Sequence, residues 1–310
     1  MPQNSPIAAP ENDNGRAVLL IDCPDQKGLV ARVVVLLYTQ GANILHAEQH
    51  QDHELQHFFM RVEWAIDGSA DSESSKAIEG RRVRNVVSTF ARDFALLAEE
   101  LHMRWQLHHT RQRPRVAIFC SQYLHCIADL LQRASTGELA CDIVAIVSNH
   151  REAEKLAAFY GIRFEYIAVI PSTRAEAEAK QLALLESLKV NLIVLARYMQ
   201  ILTEAFVSRY PAAIINVHHS FLPAFIGARP YHAAHERGVK LIGATSHYVT
   251  TALDDGPIIE QEVTRISHRD QVEDLIARGR DLERIVLSRA VRWHLEHRIL
   301  CYGNKTVVFD

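Results

Sequence analysis

Val116-Ala-Ile-Phe-Cys120, a helical-period run from Leu124 to Leu131, and Ile143-Val-Ala-Ile-Val147 decide how the chain is read. Two strands apolar at every position, joined by a helix-type segment, describe a parallel crossover unit, because such strands must be buried on both faces. The alternation continues downstream. Glu152 to Tyr160 reads as a helix stopped by Gly161, and Phe164 to Ile170 as a strand. Ala175 to Leu188 reads as a helix and Leu192 to Leu195 as a strand. Thr203 to Tyr210 is a helix halted before Pro211, and Ile214-Ile-Asn-Val-His218 is a further strand. This pattern predicts an α/β domain with a mostly parallel sheet over residues 116–310. Ligands on such sheets bind beyond the carboxyl ends of the strands, so candidate residues are sought there.

Upstream, the pattern differs. Ala17-Val-Leu-Leu-Ile21 is a buried-strand run broken by Cys23-Pro-Asp-Gln-Lys-Gly28. Leu29, Val30, Val33, Leu36 and Leu37 then recur at helical spacing until Gly41. Asn43–His50 and Phe58–Ile66 read as strands, Asp67–Glu79 as a polar loop, Val83–Met103 as a helix and Trp105–His109 as a strand. The order β-α-β-β-α-β predicts a ferredoxin-like unit over residues 16–109. Residues 110–115, polar and basic with one proline, read as a linker. Residues 1–15 read as a disordered tail without a basic-then-apolar signal pattern.

The chain has 310 residues, 48% hydrophobic and 23% charged, with a formal net charge of −3, which excludes a disordered chain. It also lacks the basic excess expected of a nucleic-acid binder. No apolar run reaches the length of a membrane span. Neither nucleic acid nor membrane is therefore expected as a partner. Cys23, Cys120, Cys126, Cys141 and Cys301 form no C-x-x-C pair, and three of them sit in or beside apolar runs, which fits a reducing cytoplasm. His53-Glu-Leu-Gln-His57 matches the H-E-x-x-H expression of zinc proteases, but that chemistry needs a helix, and this segment reads as a hairpin turn. There is no G-x-G-x-x-G after a strand, no phosphate loop of the G-x-x-x-x-G-K-[ST] type and no G-x-S-x-G elbow.

The informative stretch is Ile215-Asn-Val-His-His-Ser-Phe-Leu-Pro-Ala-Phe225. Asn216 and His218, two residues apart on a strand, leave the same face. An amide and an imidazole at a strand's carboxyl end can both hydrogen-bond to a developing oxyanion. A second stretch, Gly243 to Ile259, contains a strand at His247–Val249 and the loop Leu253-Asp-Asp-Gly-Pro257. Asp254, on a loop held by Gly256 and Pro257, is placed to orient an imidazole or a water, although Asp-Gly-Pro is also ordinary turn chemistry.

From Arg115 onward the sequence resembles the folate-dependent formyltransferase family, whose Rossmann-like domain carries N-x-H in a strand and a later Asp before Gly-Pro. Asn216, His218 and Asp254 stand in those contexts, which implies that they are catalytic. Leu195-Ala-Arg-Tyr-Met-Gln-Ile-Leu202 resembles the family's pterin-binding segment, which implies that Met199, Gln200, Ile201 and Leu202 bind substrate, along with His219, Val249 and Thr250. Thr251 and Ala252 depart from the pattern, standing where acidic residues are expected. Asp22-Cys-Pro-Asp-Gln-Lys-Gly-Leu-Val30 resembles the first strand, turn and helix of ACT domains. These modules often bind amino acids between paired copies, which implies a homo-oligomer. The resemblance points to Asp22, Asp25 and Gly28 as the place for an effector, with glycine or methionine the expected ligand. An ACT domain before such a domain, with the run Ser220 to His232, resembles the formyltetrahydrofolate deformylase family.

That likeness implies hydrolysis of 10-formyltetrahydrofolate to formate and tetrahydrofolate, within one-carbon and purine metabolism, with no cofactor and no metal. A transferase acting on a ribonucleotide needs a phosphate cradle, usually a Gly-rich turn after the first strand of the domain. Phe119-Cys-Ser-Gln-Tyr-Leu-His-Cys126 has no glycine there and two bulky aromatics. Two alternatives are transfer to an amine acceptor such as glycinamide ribonucleotide, and a non-catalytic amino-acid sensor. His232 and His247 are open to structural or binding roles, and Arg197 and Arg229 to the folate glutamate or to surface ion pairs.

Overall fold

Residues 17–23 are buried throughout because the strand they form is central in its sheet. In a computed structural model that describes residues 15–66, 88–110, 113–223 and 230–310, β1 (Arg16–Pro24) pairs antiparallel with β3 (His57–Ala65) on one side and β4 (Arg104–His109) on the other. β2 (Asn43–Asp52) completes the order β2-β3-β1-β4. Alternate residues Leu19 and Ile21 of β1, and Phe58, Met60, Val62 and Trp64 of β3, face one core. They meet Leu29, Val33 and Leu37 of α1 (Leu29–Thr39) and Phe90, Phe94 and Ala98 of α2 (88–100). This is the expected β-α-β-β-α-β order. α1 starts at Gly28, whose φ of 91° is the left-handed conformation that glycine adopts without strain. The H-E-x-x-H segment is the β2–β3 turn, so the helix a zinc protease needs is not formed there. The proposed loop 67–79, the first residues of the helix proposed from Val83, and residues 1–14 of the tail lie outside the described residues.

The second sheet has seven strands. β5 (Arg115–Cys120), β6 (Asp142–Ser148), β7 (Phe164–Tyr166), β8 (Leu192–Ala196) and β9 (Ile214–His218) run parallel. β10 (Leu241–Tyr248) is antiparallel to β9, and β11 (Ile258–Arg265) is antiparallel to β10. The order β11-β10-β9-β8-β5-β6-β7 reverses direction between β5 and β8, since the chain winds outward through β6 and β7 and returns to the other side of β5. That reversal opens a crevice at the strands' carboxyl ends. Helices α3 (His125–Ser135), α4 (Glu154–Phe159), α5 (Arg174–Ser187), α6 (Glu204–Val207), α7 (Pro230–Arg237) and α8 (Val272–Leu295) accompany the sheet.

Two elements are shorter than the sequence suggests. β7 ends at Tyr166, not Ile170, because it pairs only with β6, and its partner residue Ser148 is the last of that strand. The helix expected over 203–210 is a single turn, capped by Thr203, whose hydroxyl accepts from the Phe206 amide. The chain divides into two compact units. Residues 296–300 and 307–310 group with those up to Gln112, whereas Arg113–Leu295 and 301–306 form the other. In the first unit the Arg61 guanidinium donates to the carbonyls of Glu296 and His297, and Phe309 is fully buried. A hairpin of β12 (Ile299–Tyr302) and β13 (Lys305–Val308) carries this tail.

Candidate active site

The ends of β8, β9 and β10 converge on a cavity of about 310 Å³. Asn216, His218 and Asp254 all line it, as do Met199, Gln200, Ile201, Leu202, His219, Val249 and Thr250. Antiparallel pairing sets Asn216 of β9 opposite His247 of β10, so that two side chains distant in sequence share one face. Asp254 Oδ2 lies 3.4 Å from His218 Nδ1, and Asp254 Oδ1 lies 3.8 Å from His247 Nε2. Asn216 Nδ2 donates to His247 Nε2 at 3.2 Å, and His247 Nδ1 donates to the Tyr248 carbonyl at 2.9 Å. The carbonyl fixes the proton on Nδ1, leaving Nε2 to accept, and this holds the Asn216 carboxamide in one orientation. Burial lowers the pKa of His247, which keeps it in that neutral, accepting form.

The hydrogen bond from His218 holds the Asp254 carboxyl below its ordinary range, against the opposing effect of burial. His218 is 6% exposed, and its buried Nε2 has no hydrogen-bond partner among the described residues. Asp254 sits at φ 53°, and Gly256 two residues on packs directly on β10. A Cβ at Gly256 would come within 1.8 Å of the Tyr248 carbonyl oxygen. Gly256→Ala is therefore expected to lift the loop from β10 and destabilise the fold by about 1–3 kcal/mol, read by denaturant titration.

Burial, then the positive charges of Arg197 and His218, push His219 down to about 4. Between that value and the ordinary imidazole value, the unfolded chain binds a proton that the folded chain does not, so stability falls as pH drops through this window. His219→Gln is expected to remove about 3 kcal/mol of the stability lost between pH 7 and 4. Urea titrations of both proteins across that range measure it.

The segment 198–203 is braced from α5. Gln181 donates to the Tyr198 hydroxyl at 3.0 Å, and Glu178 accepts from the amide of Thr203 at 2.9 Å and from its hydroxyl. Arg174 donates to the Ile201 carbonyl, so that acceptor is already engaged. His232 is exposed on α7, and Arg229 lies outside the described residues. Arg197 is not at the surface: its side chain is 10% exposed, with Nε 3.5 Å from Glu283 Oε2. Glu283 belongs to α8, and its only mark in the sequence is a Glu between Leu282 and Val286 on an apolar face. His125, Cys126 and Glu283 place ligand-type atoms within 4.8 Å of one another. Both carboxylate oxygens of Glu283 already accept, from His125 Nε2 at 2.7 Å and the Tyr231 hydroxyl at 2.8 Å. With a guanidinium alongside, that set suits an internal ion pair better than a bound cation.

In the first unit, Asp25 and Gly28 line a separate groove of about 720 Å³ with Gln49, His50, Gln51 and Phe58. Asp22 is not among its lining residues. It is buried, and one oxygen accepts from Arg104 Nε at 2.8 Å and lies 3.1 Å from His57 Nε2.

Residues 114–291 match the family model described as formyl transferase and residues 17–74 the one described as ACT domain, which puts the seven-stranded unit in the formyl-transfer class. A Synechocystis sp. protein named formyltetrahydrofolate deformylase is 49% identical over 96% of this chain and 99% of its own. One of the same name from Bacillus subtilis is 50% identical over 96% and 94%. The crystal structure of a formyltetrahydrofolate deformylase from Pseudomonas syringae pv. tomato superposes with a TM-score of 0.88 at 42% identity, covering 96% of this chain and 95% of that one. The chain belongs to the formyltetrahydrofolate deformylase family.

Proposed function

We propose that the chain hydrolyses 10-formyltetrahydrofolate to formate and tetrahydrofolate, with Asn216, His218 and Asp254 as the catalytic residues. The observation that carries this reading is the meeting of these three side chains at one cavity beside the 199–202 segment. Water attacks the formyl carbon, forming a C–O bond and a tetrahedral intermediate. The free N–H of the Asn216 carboxamide and His218 Nε2, as a donor in the imidazolium, hydrogen-bond to the oxyanion. Asp254, ionised beside His218, stabilises that imidazolium, positions the water and relays its proton toward the folate nitrogen as the C–N bond breaks. Met199, Gln200, Ile201, Leu202, His219, Val249 and Thr250 hold the pterin end of the substrate. No residue or step in this scheme calls for a metal or a cofactor.

The ACT unit binds an amino-acid effector, glycine or methionine, in the groove at Asp25 and Gly28, and pairs two or more copies of the chain. A cytoplasmic setting agrees with five free cysteines, four of them buried. Formate release from 10-formyltetrahydrofolate, measured alone and with each amino acid, tests the reading. Absence of formate release from fresh substrate would overturn it, and a rate insensitive to both amino acids would remove the proposed effectors.

A further inference from the structure

We infer that Arg197 and Glu283 form a buried ion pair that fills the acceptor side of the site and restricts the attacking group to water. The inference rests on the hydrolytic reading and names what sets its acceptor. Arg197 immediately follows β8 and holds φ 62°, a backbone conformation that costs a non-glycine residue of order 1 kcal/mol. Unlike the exposed side chain of Lys189, which holds φ 50°, that of Arg197 is largely buried. It runs inward, lines the catalytic cavity with His218 and His219, and meets Glu283. Glu283 is 1% exposed and is fixed by His125 and Tyr231. The Tyr231 ring presses on α8 at Gly279, where a Cβ would lie 2.1 Å from the tyrosine hydroxyl. The Tyr123 ring lies 5.4 Å from the guanidinium carbon. Arg197, Glu283 and Tyr231 thus form a buried plug beside the reacting centre, with the half-exposed Tyr123 ring at its solvent edge.

The plug is not explained by stability. Arg197 Nε and Nη1 are buried and make no hydrogen bond among the described residues, and buried ion pairs are often no more stabilising than an apolar filling. The remaining cavity, about 310 Å³, is at the lower end for a single organic ligand and leaves little room for a second one beside a folate. Water needs no such room. With the plug removed, an amine nitrogen can attack the formyl carbon, forming an N–C bond while the C–N10 bond breaks. The proton lost by the amine goes to N10, and the products are an N-formyl amine and tetrahydrofolate.

The test supplies 10-formyltetrahydrofolate and glycinamide to the full-length protein and measures N-formylglycinamide and formate by NMR. Arg197→Gly, which suits the left-handed backbone, is expected to raise the ratio of formyl amide to formate at least tenfold. Arg197→Lys is expected to keep the wild-type ratio. An unchanged ratio in an active Arg197→Gly protein overturns the inference. Should that variant fail to fold, Arg197→Asn carries the same expectation, because Asn also tolerates this conformation. Should a folded variant release neither product, saturation-transfer NMR of glycinamide on the tetrahydrofolate complex decides. Binding to the variant and not to the wild type supports the plug, and binding to neither overturns it. A wild-type protein that releases no formate counts against the hydrolytic reading alone, and the binding comparison still judges the plug.

Discussion

Asp254→Asn is expected to lower formate release by at least about 10²–10³-fold, with little change in folate affinity. The substitution keeps the size and shape of the side chain. Asn also accepts the φ of 53° better than most residues, so the backbone of the loop need not move. What is lost is the negative charge 3.4 Å from His218 Nδ1 and the ability to relay a proton. His218 and His247 both face this carboxylate, so the variant also removes the group that stabilises an imidazolium during the reaction. Turnover with saturating substrate, alongside tetrahydrofolate binding by fluorescence quenching, separates these effects. Near-normal turnover in a folded variant would remove Asp254 from the mechanism.

The second large effect is expected from Asn216→Ala, a loss of about 10²–10³-fold in turnover, equivalent to about 3–4 kcal/mol of transition-state stabilisation. The Asn216 amide already gives one N–H to His247, so its orientation is set before substrate arrives and its second N–H is available to the oxyanion. Removal leaves Met199 to Leu202 in place, still braced by Glu178 and Gln181. The Michaelis constant should therefore change by no more than a few-fold. A raised Michaelis constant with unchanged turnover would indicate a substrate-holding role instead.

Much of this site was legible because strands dictate side-chain direction. Asn216 and His218 share a face by the two-residue period alone, and the apolar runs at 116–120 and 192–195 call for a parallel sheet buried on both faces. His247 was visible as a residue but not as a partner of Asn216. Their meeting depends on antiparallel register between β9 and β10, which nothing local encodes. Arg197 and Glu283 were harder still. A charge pair between a strand end and the middle of a 24-residue helix is a tertiary event, and the charged residues around the apolar stripe of α8 hide it. The short β7 shows the same limit, since its sequence permits extension to Ile170 and its neighbour ends first.

The return of residues 296–300 and 307–310 to the first unit has a consequence for biosynthesis. During translation the emerging ACT segment has Arg61 without its carbonyl acceptors and lacks residues 307–310 of its own unit. It can reach its finished state only after the catalytic segment has left the ribosome. A fragment cut after residue 112 would inherit that incompleteness permanently, so effector studies call for the intact polypeptide.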